Sequence, residues 1–173
     1  MSLRKLRPFL LAFVFLLGSA VLGACTSLKQ SASAPEVVSS DFGLFYPPDS
    51  EKLVFLPSRT VPLVPDQAYG WIIHLRTDKP KITWREEFVL PAKPATWGYS
   101  EPADTRHISA DGRTTITERT VTPEDGVISH VWTVAPGDPE GRYVIRVFVE
   151  NSLAATFGFD VKSDPEIHSR TVQ

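Results

Sequence analysis

The 173-residue chain contains one cysteine, Cys25, and one methionine, the initiator. A single cysteine excludes an internal disulfide, so the core must be stabilised by burial alone. A single methionine excludes a methionine-rich copper site. The four histidines, His74, His107, His130 and His168, are far apart and none has a partner at metal-ligand spacing. We therefore expect no metal and no cofactor, although His107 and His130 could still meet on neighbouring strands.

Sequence motifs that carry catalysis are also missing. The chain has no Gly-x-Ser-x-Gly elbow, no His-Glu-x-x-His pair, no phosphate loop and no dinucleotide-binding glycine pattern. Glu86 and Glu87 are adjacent, and adjacent strand residues face opposite ways, so they do not form a catalytic carboxylate pair. No basic patch indicates nucleic-acid binding. We expect no catalytic residues, no enzymatic activity and no nucleic-acid partner.

The N-terminus is ordered like a secretion signal. Residues 4–7 are rich in basic side chains, and residues 9–22 are apolar. This apolar stretch is shorter than the roughly 20 residues that a membrane-spanning helix needs. It ends in Leu22-Gly23-Ala24-Cys25. Three of the 18 basic residues and none of the 20 acidic ones lie in residues 1–24, so the rest of the chain carries a net charge of −5.

The sequence Leu22-Gly23-Ala24-Cys25 resembles the lipobox of bacterial lipoproteins. The resemblance implies cleavage before Cys25 and attachment of diacylglycerol and an N-acyl chain such as palmitate to that residue. Several acyl chains make membrane anchoring effectively permanent. Thr26, rather than aspartate, follows the cysteine, which in such lipoproteins favours the outer membrane, with the protein facing the periplasm. The alternative is an uncleaved anchor or an ordinary signal peptide with an incidental cysteine.

These features divide the chain into four parts. Residues 1–24 are predicted to be a lipoprotein signal peptide, and residues 25–40 a lipidated N-terminus with a flexible tether of small and polar residues. Residues 41–163 are predicted to form one β-sandwich domain, and residues 164–173 a C-terminal tail. Within the domain, residues 41–65 are expected to supply the first strand and to cover an edge; the alternative is that part of this segment docks a partner.

The sequence of the domain is typical of an all-β protein. Prolines interrupt it too often for long helices, and period-two alternation between them predicts strands with one buried face. The predicted strands cover residues 68–77, 81–90, 105–109, 114–121, 127–134, 143–150 and 153–162, with turns at Asp111-Gly112, Asp125-Gly126 and Asn151-Ser152. Glu86 interrupts the apolar face of its strand, which predicts a bulge or a strand end.

The last two predicted strands and the corner before them resemble the closing hairpin of immunoglobulin-like and fibronectin type III-like domains. The corner residues Asp138, Gly141 and Tyr143 match an Asp-x-x-Gly-x-Tyr pattern, which implies that the tyrosine hydroxyl bonds back to the backbone. Trp84 would be the buried core tryptophan. The resemblance covers residues 66–162 and lacks the cysteine pair of antibody domains. It predicts a single antiparallel immunoglobulin-like β-sandwich.

The fold alone names no function. The Pro-rich loop of residues 91–104 contains the candidate binding residues Trp97 and Tyr99, which could offer a flat aromatic surface to a sugar ring or a protein groove. Alternatively, Trp97 folds back onto the end of the core. Our leading hypothesis is a non-catalytic accessory or assembly subunit, anchored through Cys25, that contacts another envelope protein. Glycan or small-ligand binding through Trp97 and Tyr99 is the alternative.

Overall fold

A computed structural model describes residues 34–46, 54–98, 102 and 104–163 of the chain. These residues form ten β-strands and no helix. The strands are β1 Glu36–Tyr46, β2 Val54–Pro57, β3 Thr60–Pro62, β4 Ala68–Arg76, β5 Ile82–Val89, β6 Thr105–Ile108, β7 Thr114–Val121, β8 Val127–Thr133, β9 Gly141–Val149 and β10 Ser152–Lys162. In this part of the chain there is accordingly no helix with the length and apolar character to cross a membrane.

The strands form two sheets that pack face to face. One sheet has the order β2-β1-β4-β8 and the other the order β3-β10-β9-β5-β7-β6. Strand alternation places one face of each sheet inward, and the two inner faces form a common core. Its largest fully buried side chains are Trp71, Trp84, Tyr69, Tyr143, Phe88 and Phe159. The predicted all-β sandwich is confirmed.

One pairing departs from the antiparallel arrangement that the sequence predicts. β3 runs parallel to β10, whereas the other paired strands are antiparallel. β2 belongs to the four-stranded sheet and β3 to the six-stranded sheet, with only Ser58 and Arg59 between them. The chain therefore crosses from one sheet to the other at this link. β2 and β3 each form an edge of their sheet.

The first strand differs from the sequence prediction. β1 begins at Glu36, inside the segment assigned to the tether, and lies between β2 and β4, while β2 and β3 supply the edges expected of residues 41–65. The paired valines Val37 and Val38 were the available signal, because β-branched residues favour strands. The small and polar residues on either side of these valines are typical of a flexible linker, so the strand was not predicted. Residues 36–40 therefore belong to strand β1 and not to the predicted tether.

The corner before β9 has a defined hydrogen-bond pattern. The Tyr143 hydroxyl donates to the carbonyl oxygen of Pro139 at 2.6 Å, and Asp138 Oδ2 accepts from the Ala135 backbone N–H at 2.9 Å. Gly141 has a φ of 138°, which residues with a side chain rarely adopt. Burial, followed by the charge of Asp138, raises the pKa of Tyr143. The hydroxyl therefore stays protonated and available as a donor.

Removing the Tyr143 hydroxyl tests the contribution of this corner. We expect Tyr143→Phe to lower the free energy of unfolding by about 1 kcal/mol, because the Pro139 carbonyl loses its hydrogen bond while the ring stays packed. Urea denaturation measures the change. Tyr46→Phe is the matched control, since Tyr46 is exposed at the end of β1, and its effect should stay within about 0.5 kcal/mol. Equal effects of the two variants would show that the corner bond contributes nothing specific.

Candidate functional site

A fully buried acid, Glu86, lies in the middle of the core. It belongs to β5, whose inward residues are otherwise apolar, and none of its surface is exposed. The strand has no bulge there: Glu86 pairs in regular register with Thr117 on β7 and Val147 on β9. The predicted bulge or strand end is therefore wrong. The alternation continues through Glu86, so its carboxylate points at the opposite sheet.

Three side chains of the opposite sheet surround the Glu86 carboxylate. The indole N–H of Trp71 donates to Oε2 at 2.5 Å, and the indole N–H of Trp132 donates to Oε1 at 2.8 Å. His130 Nδ1 lies 3.3 Å from Oε2. We call Glu86, Trp71, His130 and Trp132 the Glu86 cluster. A buried carboxylate is costly unless it is hydrogen-bonded, and here both oxygens accept from an indole.

Aromatic rings enclose the cluster. The Trp84 ring lies 5.0 Å from the His130 ring and meets the Trp71 ring edge to face at 5.3 Å. The His130 and Trp132 rings are also in contact, at 5.1 Å. These ring distances lie within the range of about 4.5–7 Å that is typical of aromatic pairs. The rings hold His130 in place between Trp84 and Trp132.

An open groove with a volume of about 520 Å³ lies beside the cluster. His130 and Trp132 line it, together with the other β8 residues of the segment 129–133. Trp97 from the loop after β5 and Arg106 from β6 lie across from them. β8 and β6 are each the last strand of their sheet. The groove therefore runs between the edges of the two sheets.

Arg106 is held over one wall of the groove. Its guanidinium carbon lies 5.1 Å from the centre of the Trp132 ring, within the range of a cation–π contact. Nη1 donates to the carbonyl oxygen of Trp97 at 3.1 Å and that of Gly98 at 3.4 Å. Nε is buried and has no partner among the described residues. Burial lowers the pKa of Arg106, and the charges of Asp104 and Glu86 oppose this.

A second arginine in the groove has a carboxylate partner. Arg119 Nε donates to Asp104 Oδ1 at 2.5 Å, and the Asp104 side chain is almost fully buried. The Arg119 guanidinium also lies 5.7 Å from the Trp84 ring centre. Asp138, from the corner before β9, lines the same groove, and burial raises its pKa. The groove therefore combines aromatic walls, two arginines and two carboxylates.

The structure places one of the two predicted binding residues. Trp97 is half-buried: its ring contacts Phe88 at 6.0 Å and Trp132 at 6.4 Å, and its indole N–H donates to the Gly112 carbonyl at 3.0 Å. It packs against the core and lines the groove at the same time. Tyr99 and the predicted lipidation residue Cys25 lie outside the described residues.

The histidines are arranged differently from the suggestion that His107 and His130 sit on neighbouring strands. His107 is on β6 in the six-stranded sheet, and His130 is on β8 in the four-stranded sheet. This suggestion is therefore wrong. The order of strands within the sheets, which the sequence does not reveal, separates them. Within residues 34–46, 54–98, 102 and 104–163, no three His, Cys, Asp or Glu side chains are grouped to hold a metal ion.

The comparisons with known proteins agree with this architecture. A family model described as the PM0630 beta sandwich domain matches residues 40–162. The chain belongs to this family. Among solved structures, an immunoglobulin-like protein from Pseudomonas aeruginosa is similar, with a TM-score of 0.52 and 14% sequence identity, over 75% of this chain and 98% of that chain. This likeness shows that the fold is immunoglobulin-like. No curated protein matches the sequence.

The candidate site of this PM0630 beta sandwich domain includes residues that the sequence alone did not identify. Glu86, His130, Trp132 and Arg106 were not singled out as a group, because they come from three strands of two sheets. The available signal was Glu86 itself. An acid that interrupts an otherwise apolar alternation indicates either an irregular strand or a buried carboxyl group with hydrogen-bond partners. Glu86 is a buried carboxyl group with partners.

Proposed function

We propose that this chain is a non-catalytic lipoprotein, anchored in the outer membrane by lipid on Cys25 and facing the periplasm, that binds another envelope protein as an accessory or assembly subunit. The sequence Leu22-Gly23-Ala24-Cys25 supports the anchor. One structural observation supports the binding role: the groove lies along the edge of β8 that pairs with no other described strand. A protein partner would occupy this groove and add to that edge.

The four edge strands differ in how well they are protected against pairing. β2 ends in Pro57 and β3 in Pro62, and proline blocks the addition of a further strand. β6 has only four residues. β8 has seven residues, contains no proline, lysine, arginine or acid, and pairs with β4 without a register shift. Proteins usually protect such an edge, since it can template another strand. β8 is thus the edge best suited to receive a partner by strand addition.

Direct ligand binding is the second candidate, and one observation favours it. The groove volume of about 520 Å³ lies within the roughly 300–1,000 Å³ of small-molecule sites, and two tryptophans, Trp97 and Trp132, line it. A sugar ring could stack on either of them. In this case, replacing Trp97 and Tyr99 with alanine should abolish retention on glycan affinity columns and leave capture of a protein partner unchanged.

In-cell crosslinking tests the leading proposal. A C-terminally tagged chain is crosslinked in intact cells, solubilised in detergent, captured and analysed by mass spectrometry. We expect one reproducible envelope protein, which is lost in Cys25→Ala because the anchor is removed. It should also be lost in Val131→Lys, because a charge on exposed Val131 protects the β8 edge.

Leu153→Lys is the matched control for the edge variant. Leu153 is also an exposed apolar strand residue, but it lies at the start of β10, in the other sheet. This variant should retain the partner. Recovery of the tagged protein alone would contradict the accessory-subunit proposal. Equal partner recovery from Val131→Lys and Leu153→Lys would place the partner elsewhere on the molecule.

A further inference from the structure

We infer that the segment bound along β8 is an extended strand of the partner protein that presents an aspartate or glutamate carboxylate to Arg106. This inference rests on the proposed function and specifies the chemistry of the partner. Three features of the groove lead to it: the donors that Arg106 retains, the rigid position of its guanidinium, and the direction in which the groove runs.

Arg106 retains hydrogen-bond donors that the described residues do not use. A guanidinium has five N–H donors, and among the described residues only Nη1 of Arg106 finds acceptors, two backbone carbonyls. Nε is buried without a partner, and no described carboxylate forms an ion pair with Arg106. Arg119, in the same groove, is already paired with Asp104. Arg106 is thus the groove arginine that forms no ion pair with a carboxylate of the described residues, although the charges of Asp104 and Glu86 act on it from nearby.

The position of Arg106 suits an incoming carboxylate. Contact with the Trp132 ring and the two carbonyl bonds fix the plane of the guanidinium, so little side-chain freedom is lost on binding. Burial has already removed part of its hydration, as the lowered pKa of Arg106 reflects. A charge-assisted hydrogen bond to a carboxylate would replace the hydrogen bonds to water that the buried guanidinium has lost. Neutral ligands cannot do so as effectively.

The direction of the groove favours an extended chain over a compact ligand. The five consecutive residues 129–133 of β8 all line the groove. Consecutive strand residues point to opposite faces, so a groove that touches all of them runs along the strand edge itself, over about 13 Å. Exposed backbone N–H and C=O groups at an edge pair with another strand. A peptide of three to five residues matches this length, with one acidic side chain opposite Arg106.

A photo-crosslinking amino acid in place of Val131, in the full-length protein in cells, identifies the bound segment. Mass spectrometry of the crosslinked peptide gives its sequence. We expect an envelope-protein segment of strand character with an aspartate or glutamate. The same probe at Leu153 should not capture it. Failure to capture any protein at Val131 would contradict the proposed function itself, whereas capture of a segment without an acidic residue would contradict only this inference.

Titration of the synthetic segment onto the full-length protein in detergent, followed by tryptophan fluorescence, then tests the carboxylate. Replacing the acidic residue of the peptide with its amide should weaken binding about tenfold or more. Arg106→Gln should weaken binding of the acidic peptide by a similar factor and leave binding of the amide peptide unchanged. Arg76→Gln, an exposed arginine paired with Glu36, is the control and should change neither.

A charge exchange separates recognition from a purely structural role of Arg106. Arg106→Glu should bind a peptide that carries lysine at the acidic position better than it binds the original peptide. Equal affinity of wild-type protein for the acidic and amide peptides would overturn the inference without using any variant. So would binding of free glucuronate that depends on Arg106 and prevents capture at Val131, because the occupant would then be a sugar acid.

Discussion

Glu86→Ala is expected to lower the free energy of unfolding by about 3–5 kcal/mol, because each buried donor left without a partner costs about 1–3 kcal/mol and a cavity adds to the loss. The loss leaves the indole N–H groups of Trp71 and Trp132 without their acceptor. It also removes the contact with His130 and opens a cavity between the sheets. Because domains of this size are stable by only about 5–15 kcal/mol, the loss removes a large fraction of the total stability.

The adjacent acid is the matched control for Glu86. Glu87 lies on the outer face of β5 and bonds to Arg85 and Arg146, and these bonds lower its pKa. Because Glu87 remains partly exposed and its ion pairs are screened by water, Glu87→Ala should cost no more than about 1 kcal/mol. Urea denaturation of both variants measures the difference. Similar destabilisation by the two variants would contradict a central role for the Glu86 carboxylate.

Glu86→Gln separates charge from shape. The amide keeps one acceptor oxygen but turns an N–H₂ group towards a second N–H donor, so one donor loses its partner. We expect the free energy of unfolding to fall by about 1–3 kcal/mol, which is less than the loss expected for Glu86→Ala. A glutamine variant as stable as wild type would show that the second acceptor oxygen is not needed to hold the two sheets together.

The second large effect is expected at Gly70, where β4 approaches β8. A Cβ atom there would lie 2.0 Å from the carbonyl oxygen of His130. That oxygen belongs to the backbone, so no side-chain rotation relieves the clash, and the two strands must separate. We expect Gly70→Ala to destabilise the fold by about 3 kcal/mol or more, at the upper end of overpacking effects. It should also abolish partner capture, because β8 forms one side of the groove.

Gly98→Ala provides a control with the same chemical change. Gly98 has a φ of +67°, and an added Cβ meets nothing within 4 Å. Only the backbone conformation is strained, at a cost of about 1–2 kcal/mol. Thermal unfolding measured by circular dichroism compares the two variants. If Gly70→Ala is no more destabilising than Gly98→Ala, the close approach of β4 and β8 is not rigid.

Local sequence patterns were sufficient to predict most of the sandwich. Alternation placed β4, β5, β7 and β9 within a residue or two of their observed ends, because a half-buried strand imposes this pattern on its own sequence. The turn of the last hairpin lies at Glu150 and Asn151, with φ values of 50° and 68°, one residue before the predicted pair. Such boundaries depend on cross-strand register, which one strand alone does not encode.

The candidate site was less accessible to sequence reasoning. Trp97 was recognised because an aromatic residue in a Pro-rich loop is locally unusual. Arg106 and Trp132 are unremarkable in their own strands and become informative only when two sheet edges meet. Gly70 carried a signal that was not used, since a glycine inside a strand often marks a close approach of another backbone. Sites built across sheets depend on topology, and topology is encoded in many distant contacts.

The central position of β1 has a mechanical consequence. β1 is paired along its length with β4 on one side, and its C-terminal half is also paired with β2. Tension applied along the chain that precedes Glu36 pulls this strand lengthwise past its neighbours. The hydrogen bonds of the ladder then share the load and must yield together, rather than opening one after another as at a peeled edge. The chain therefore enters the domain through a strand that is loaded in shear, so a pull on the preceding residues is resisted by many hydrogen bonds at once.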